Sequence, residues 1–226
     1  MVTSKKIELR LEHVFHTCDT ELIQYGKMVD SINDFTYSFH DNQVYGLLSE
    51  CADGAWIVAY ILTGKTQIHR GKITLNGKNL SPTDLRNITC YIGDYSIKKF
   101  PRRNKTVREQ LKEALRFQEG ATLESIVEMF ELSESRLDRR LWEISNERWN
   151  ATAAIGYANN KRVFCFPWFN GSWTAFLAGR IPPLATVLKQ SGCTVLLPVG
   201  SLEHVEPVLD TCLTINDGKI KKSIRP

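Results

Sequence analysis

Apolar and polar residues alternate through "KIELRLEHVF", placing Ile7, Leu9 and Leu11 on one side, the period of a half-buried strand. "SINDFTYSFHDNQVYGLLS" continues in strand-forming residues, with "HDNQ" a polar turn before the apolar strand "VYGLL". "AWIVAYILTG" predicts a short apolar helix closed by Gly64, and "GKITLNGKNL" a hairpin turning on Asn-Gly. From about residue 105 to 160 the period changes to three and four. "TVREQLKEALRFQ", "TLESIVEMFEL" and "SESRLDRRLWEI" read as amphipathic helices, with Thr122, Ser125 and Ser133 as cap-like starts. Beyond them "RVFCF" and "CTVLLPV" are unbroken apolar strands, and "SWTAFLAGRIPPLATVLKQSG" is helical but interrupted at Pro182 and Pro183. "SLEHVEPVLD" reads as a short helix and "TCLTINDGKI" as a closing strand and turn. Continuous apolar strands separated by helices predict a parallel sheet covered on both faces.

Composition adds bounds. The chain has 226 residues, 42% hydrophobic and 24% charged, enough for one well-buried domain. The apolar run at 55–62 falls far short of the ~20 residues that span a bilayer, and the N-terminal residues lack a signal peptide's apolar core, so a cytoplasmic protein is expected. The six cysteines form no C-x-x-C pair, and reduced thiols are expected. His13, His16 and Cys18 are close in sequence, but three such residues in one strand-like segment are commonly chance, and no metal site is assigned. The net charge of +4 does not by itself imply nucleic acid. Lys98, Lys99, Arg102, Arg103, Lys105 and Arg108 form a basic cluster, read as a solvated loop leading into a helix, with a phosphate-rich surface as the alternative.

In their order these segments resemble the ATPase subunit of an ABC transporter over nearly the whole chain. "VYGLL" through "ILTG" to "GKITLNGKNL" is similar to that family's strand, phosphate-binding loop, helix and hairpin, and "LRNITCYIGDYS…F…TVREQL" to its following segment. "LDRRLWEISNERW" resembles the approach to its "LSGGERQR" signature, and "GCTVLLPVGSLEHVEPVLDTCLTINDGKI" its C-terminal stretch. The resemblance implies an α/β fold of the P-loop NTPase type, with a parallel-sheet core, an antiparallel β subdomain and an α-helical subdomain at about 100–160, in a single domain over 1–226.

The same resemblance shows replaced residues. A loop of the form G-x-x-x-x-G-K-[ST] wraps phosphates in backbone N–H groups, adds a lysine and binds Mg²⁺ through its hydroxyl. Here the frame runs Ser49, Glu50, Cys51, Ala52, Asp53, Gly54, Ala55, Trp56, and only Gly54 keeps its type. Glu50 and Asp53 add negative charge; one unit repulsion at ~5 Å is about 3 kcal/mol, roughly a hundredfold in affinity. Pro167 and Trp168 stand where the family carries the Mg²⁺-holding Asp and the water-polarising Glu, Asp94 where it carries the γ-phosphate-sensing glutamine, and Gly200 where its switch histidine lies. In "ISNE" (Ile144, Ser145, Asn146, Glu147) the serine survives without the signature's glycines. The adenine-stacking aromatic falls near His16 to Cys18, where a shifted register offers Phe15.

Trp56, Trp168, Phe169 and Trp173 are expected to fill the vacated phosphate volume. No catalytic residue, metal or cofactor is therefore expected, and neither ATP nor Mg²⁺ is expected to bind tightly. The resemblance implies a catalytically inactive ATPase-like subunit at the inner face of the cell membrane, docking on a permease and/or on a second ATPase subunit or a second copy of itself. Anionic lipid would meet Lys98, Lys99, Arg102, Arg103 and Lys105. The alternative is a working ATPase completed by a partner. A nucleic-acid-binding relative rests on the basic cluster alone, and Ser145, Cys165 and the scattered histidines form no recognisable nucleophile and base set.

Overall fold

The computed structural model describes residues 7–22, 26–93, 105–116, 120–145 and 147–225. It divides into two compact units, one formed by residues 1–91 with 162–226 and the other by residues 92–161.

The first unit is built from two sheets. The antiparallel sheet contains β1 (Glu8–Leu22), β2 (Gly26–His40), β4 (Arg70–Leu75) and β5 (Lys78–Asn79), ordered β2-β1-β4-β5. The second contains β3 (Val44–Leu48), β6 (Thr89–Tyr91), β7 (Val163–Cys165), β8 (Thr194–Val199), β9 (Thr211–Asn216) and β10 (Lys219–Ile224), ordered β10-β9-β3-β8-β7-β6. It is parallel except for the hairpin joining β9 to β10. Helix α1 (Ala55–Leu62) follows β3 and lies against strands of both sheets, so seven of its eight residues are buried. That explains why its sequence is apolar all round rather than striped. Helix α2 (Pro82–Ile88) starts on a capping box between Ser81 and Asp84.

The alternation that marks β1 and β2 is broken halfway along. Leu9 and Leu11 are buried at odd positions, Val14 and His16 at even ones, and the register shifts between Leu11 and Val14 and again between Val14 and His16. On β2 the buried side chains change from Phe39 and Phe35 to Ile32 and Asp30. His13 and Asp34, both with positive φ, sit at the irregularity and pair through Nδ1 and Oδ1 at 2.8 Å. An extra residue in a strand inverts the face of everything beyond it. Val29 is consequently turned outward, 61% exposed, and its neighbour Asp30 inward, 1% exposed.

The second unit is helical: α3 (Val107–Leu115), α4 (Leu123–Met129), α5 (Glu134–Leu137), a 3-10 turn at Leu141–Glu143 and α6 (Arg148–Ala158). Thr106 with Glu109, and Thr122 with Ser125, close reciprocal caps. Val107, Leu111, Ile126, Phe130, Leu137 and the alanines of α6 supply its core. Arg108 reaches from α3 to Asp138 (2.8 Å) and Glu134.

Three sequence expectations change. "SESRLDRRLWEI" is not one helix but the single turn of α5 and the separate 3-10 turn, because the chain extends at Arg140 (φ −80°, ψ 152°). The prolines do not interrupt a helix: α7 (Gly171–Phe176) ends first, and Pro182 and Pro183 begin α8 (Ile181–Gln190), where a missing N–H costs nothing. "SLEHVEPVLD" holds only a 3-10 turn at Glu206–Val208. No helix among the described residues is long and apolar enough to cross a membrane.

The reciprocal cap on α3 generates a prediction. Thr106→Ala removes the hydroxyl that accepts from Glu109 N at 3.2 Å. It should lower the stability of the helical unit by about 1 kcal/mol, read as a shift in the urea midpoint at unchanged slope.

Candidate functional site

The first amides of a helix lack intrahelical partners and carry its partial positive charge, which is why loops of this outline receive phosphate. In α1 they meet a carboxylate of the same chain. Asp30 Oδ1 accepts from the N–H of Gly54 at 2.8 Å and of its own neighbour Ser31 at 2.8 Å, and Oδ2 accepts from Ile57 N–H at 2.9 Å. Gly54 is the N-cap residue of α1 and has no side chain, so Asp30 caps the helix from another strand. Both oxygens act only as acceptors here, the pattern of a carboxylate. Burial pushes the Asp30 carboxyl above its ordinary value, the three N–H donors pull it back, and Asp53 adds to the upward side.

The loop is fastened from a second direction by the turn between β9 and β10. Asp53 Oδ1 accepts from Asp217 N–H at 2.6 Å, its Oδ2 from Asn216 Nδ2 at 3.2 Å, and its carbonyl from Gly218 N–H at 3.2 Å. Gly218 in turn accepts from Asn33 N–H on β2 at 2.9 Å. Asp53 thus serves the turn. Gly54 has φ 112°, and a Cβ there would lie 2.9 Å from Gly218 Cα and 3.2 Å from Ser31 O, so glycine is required by the close approach of the turn and β2.

Ala55 and Trp56 occupy the first turn of α1 at 0% and 1% exposure. The Trp56 indole packs edge-on against Tyr60 (5.7 Å between centroids), and Tyr60 against Tyr91 (5.5 Å). Its N–H is buried with no hydrogen-bond partner among the described residues, a cost of about 1–3 kcal/mol that the burial of the ring offsets. Beyond the end of β7, Pro167 is buried and Trp168 is 5% exposed. The Trp168 indole N–H donates to the carbonyl of Ser49, at 3.2 Å, where β3 gives way to the loop. Ser49 N–H donates to Val199 O at 3.1 Å, and Gly200 N–H to Phe169 O at 2.7 Å. A Cβ on Gly200 would stand 3.0 Å from Trp168 Cζ2. Gly200 and Trp168 are therefore close neighbours, and a side chain at 200 would have to push the ring aside by a few tenths of an ångström.

Of the four aromatic residues expected around the loop, Trp56, Trp168 and Phe169 are buried. Trp173 is half-buried in α7, edge-on to Phe176, which is 73% exposed.

In the helical unit Glu147 accepts from Ser133 N–H at 2.9 Å and from its hydroxyl, and so holds the N-terminal end of α5. Ile144 is buried, Ser145 is exposed, and Asn146 lies outside the described residues. Asp94, Lys98, Lys99, Arg102 and Arg103 also lie outside them. Lys105 is paired with Glu113 at 2.6 Å. His13 is exposed at the β1 irregularity, whereas His16 is buried with Nε2 bonded to Thr66 Oγ1 at 2.7 Å and Phe15 lies under the Arg70 guanidinium. Cavities of about 410 Å³ and 550 Å³ share His40 and Gln43 in their linings, beside the start of β3 and away from the loop.

Sequence reasoning missed Asp30. It lies 24 residues before Gly54, on a strand whose simple alternation from Phe39 would have turned it to solvent. The Asn-Asp pair inside the strand-like run "SINDFTYSF" is the local sign of the irregularity.

The upward shift at Asp30 gives a pH prediction. Between the ordinary value of 3.8 and the higher folded value, the native protein keeps a proton that the unfolded chain has released. Asp30's contribution is therefore largest below 3.8 and declines as pH rises through that window, then stays level. Asp30→Asn presents an NH₂ to backbone donors and should cost about 2–4 kcal/mol at neutral pH. Urea titrations across the acid range should show the gap between wild type and variant narrowing as pH climbs; a gap that widens would contradict the assignment.

Comparison with known proteins places this geometry. No protein-family model matches the sequence, and no curated protein matches it at the sequence level. Solved structures do match. The ATP-binding subunit of an ABC transporter is 16% identical, with 96% of this chain and 89% of that one covered at a TM-score of 0.67. A nucleotide-free ATP-binding cassette from an ABC transporter is also 16% identical, covering 98% and 92% at 0.69. For cbiO1 from Clostridium perfringens, described as part of the ABC transporter complex cbiONQ, the identity is 13%, the coverage 96% and 88%, and the TM-score 0.70. With two sheets enclosing α1 and a separate helical unit, the chain has the fold of the ATP-binding cassettes of ABC transporters.

Proposed function

We propose that the chain is a catalytically inactive, cassette-like subunit of a membrane transport complex, kept for its docking surfaces rather than for ATP turnover. The observation that carries this reading is the bond between Trp168 and Ser49. A position that needs a carboxylate to polarise water holds a buried indole, and that indole ties the end of β7 to the mouth of the loop. Neither Pro167 nor Trp168 can bind Mg²⁺ or accept a proton, and Gly200 offers no imidazole. Ala55, fully buried, supplies no cation to phosphates.

The fold supports the choice of partners. cbiO1 is described as part of a transporter complex, and another structural neighbour, MJ0796, as a dimeric cassette. By analogy a permease subunit is the primary partner here, with a second cassette or a second copy as the other, and the site is the cytoplasmic face of a membrane. Anionic headgroups would meet Lys98, Lys99, Arg102, Arg103 and Lys105, each basic group near such a surface contributing about 1 kcal/mol. Lys105 would first have to leave Glu113.

Two measurements test the proposal. Purified wild type and Ala55→Lys should both fail to bind a fluorescent ATP analogue at micromolar concentration and should show no ATP turnover, because a lysine at a buried position does not reopen the loop. Isolation of the native complex in detergent should recover an integral-membrane permease; wild type that hydrolyses ATP at rates typical of an enzyme, or a complex without a membrane subunit, would sink the reading.

A further inference from the structure

We propose that Asp30 is a built-in ligand: β2 carries a carboxylate into the cradle of backbone amides at the start of α1 and keeps it permanently filled. This rests on the nucleotide-independent reading above and gives it a physical device. A loop that receives phosphate leaves its amides to water, and to disorder, whenever the ligand departs. Here both Gly54 N–H and Ile57 N–H are already bound, at 2.8 and 2.9 Å, to a carboxylate that is 1% exposed. The anion at the helix terminus is thus part of the chain, delivered by covalent connection rather than by diffusion.

Two further features keep it there. The irregularity at His13 and Asp34 is what turns Asp30 inward, and beyond it the strand pairing resumes with Cys18 opposite Asp30. On the far side of the loop the β9–β10 turn joins Asp53 to β2 through Gly218 and Asn33. A filled cradle between two fastened strands gives α1 one conformation at every nucleotide concentration. A partner docked on this unit therefore meets a constant surface.

Chemical rescue in the full-length chain tests the inference. Asp30→Ala removes a volume close to that of formate, so formate should re-enter as the missing carboxylate. The variant should melt below wild type, and formate should raise its midpoint by at least about 3 °C more than chloride at equal ionic strength. Wild type and Asp30→Asn, whose cradles are occupied, should show no such difference. Equal midpoints for Asp30→Ala and wild type, or equal recovery in formate and chloride, would overturn the proposal. Should the alanine variant not fold, hydrogen exchange on wild type decides: amides of Gly54 and Ile57 as protected as those of β8 support it, and exchange at loop rates refutes it. A native complex without a membrane subunit alongside a positive rescue would defeat the transport-subunit reading alone, whereas failed rescue without nucleotide binding would defeat the built-in ligand alone.

Discussion

The contact on which the first unit turns is the carboxylate of Asp30 against the N-terminal amides of α1. α1 lies against strands of both sheets, so its end is reached by little water, and amides left bare there would each cost about 1–3 kcal/mol. A side chain at the N-cap cannot solve this, because Gly54 must stay bare where Gly218 and Ser31 approach. The acceptor has to come from another strand. Asp30 provides it, and the partial positive charge of the helix terminus favours the ionised form that burial opposes.

That solution depends on an irregularity elsewhere. A regular β2 would have buried Val29 and exposed Asp30, an arrangement that suits hydrophobicity better and leaves the helix uncapped. The positive-φ residues His13 and Asp34 reverse the choice. An exposed valine is a small loss beside two unsatisfied buried amides, which is why the exchange is tolerable. The other end of the site follows the same logic. Trp168 needs an acceptor for its buried N–H and finds Ser49 O, and its ring lies close enough that a Cβ at Gly200 would press on it at 3.0 Å. Among the described residues here, the Trp56 indole N–H is the buried side-chain donor left without a partner.

Much of this fold could be read directly from the chain. Unbroken apolar runs such as "CTVLLPV" give buried parallel strands, and alternation in "KIELRL" gives a half-buried one, because the side-chain period of a strand is fixed by its backbone. The reading failed where a local pattern has two structural answers. Pro182 and Pro183 disrupt a helix interior but suit a helix start, and only the end of α7 at Phe176 decides between them.

Side-chain chemistry does not depend on the fold, so the chain alone shows that Ala55, Trp56, Pro167, Trp168 and Gly200 carry no charge, carboxylate or imidazole. It also showed the long apolar strands and the apolar helix α1, because periodicity is local. What caps the start of α1 was decided only in three dimensions. Asp30 and Gly54 are joined by a bond across 24 positions, and the sense in which Asp30 points depends on a register change several residues away. No window of sequence contains both facts, because a strand's facing is the sum of every irregularity between its ends.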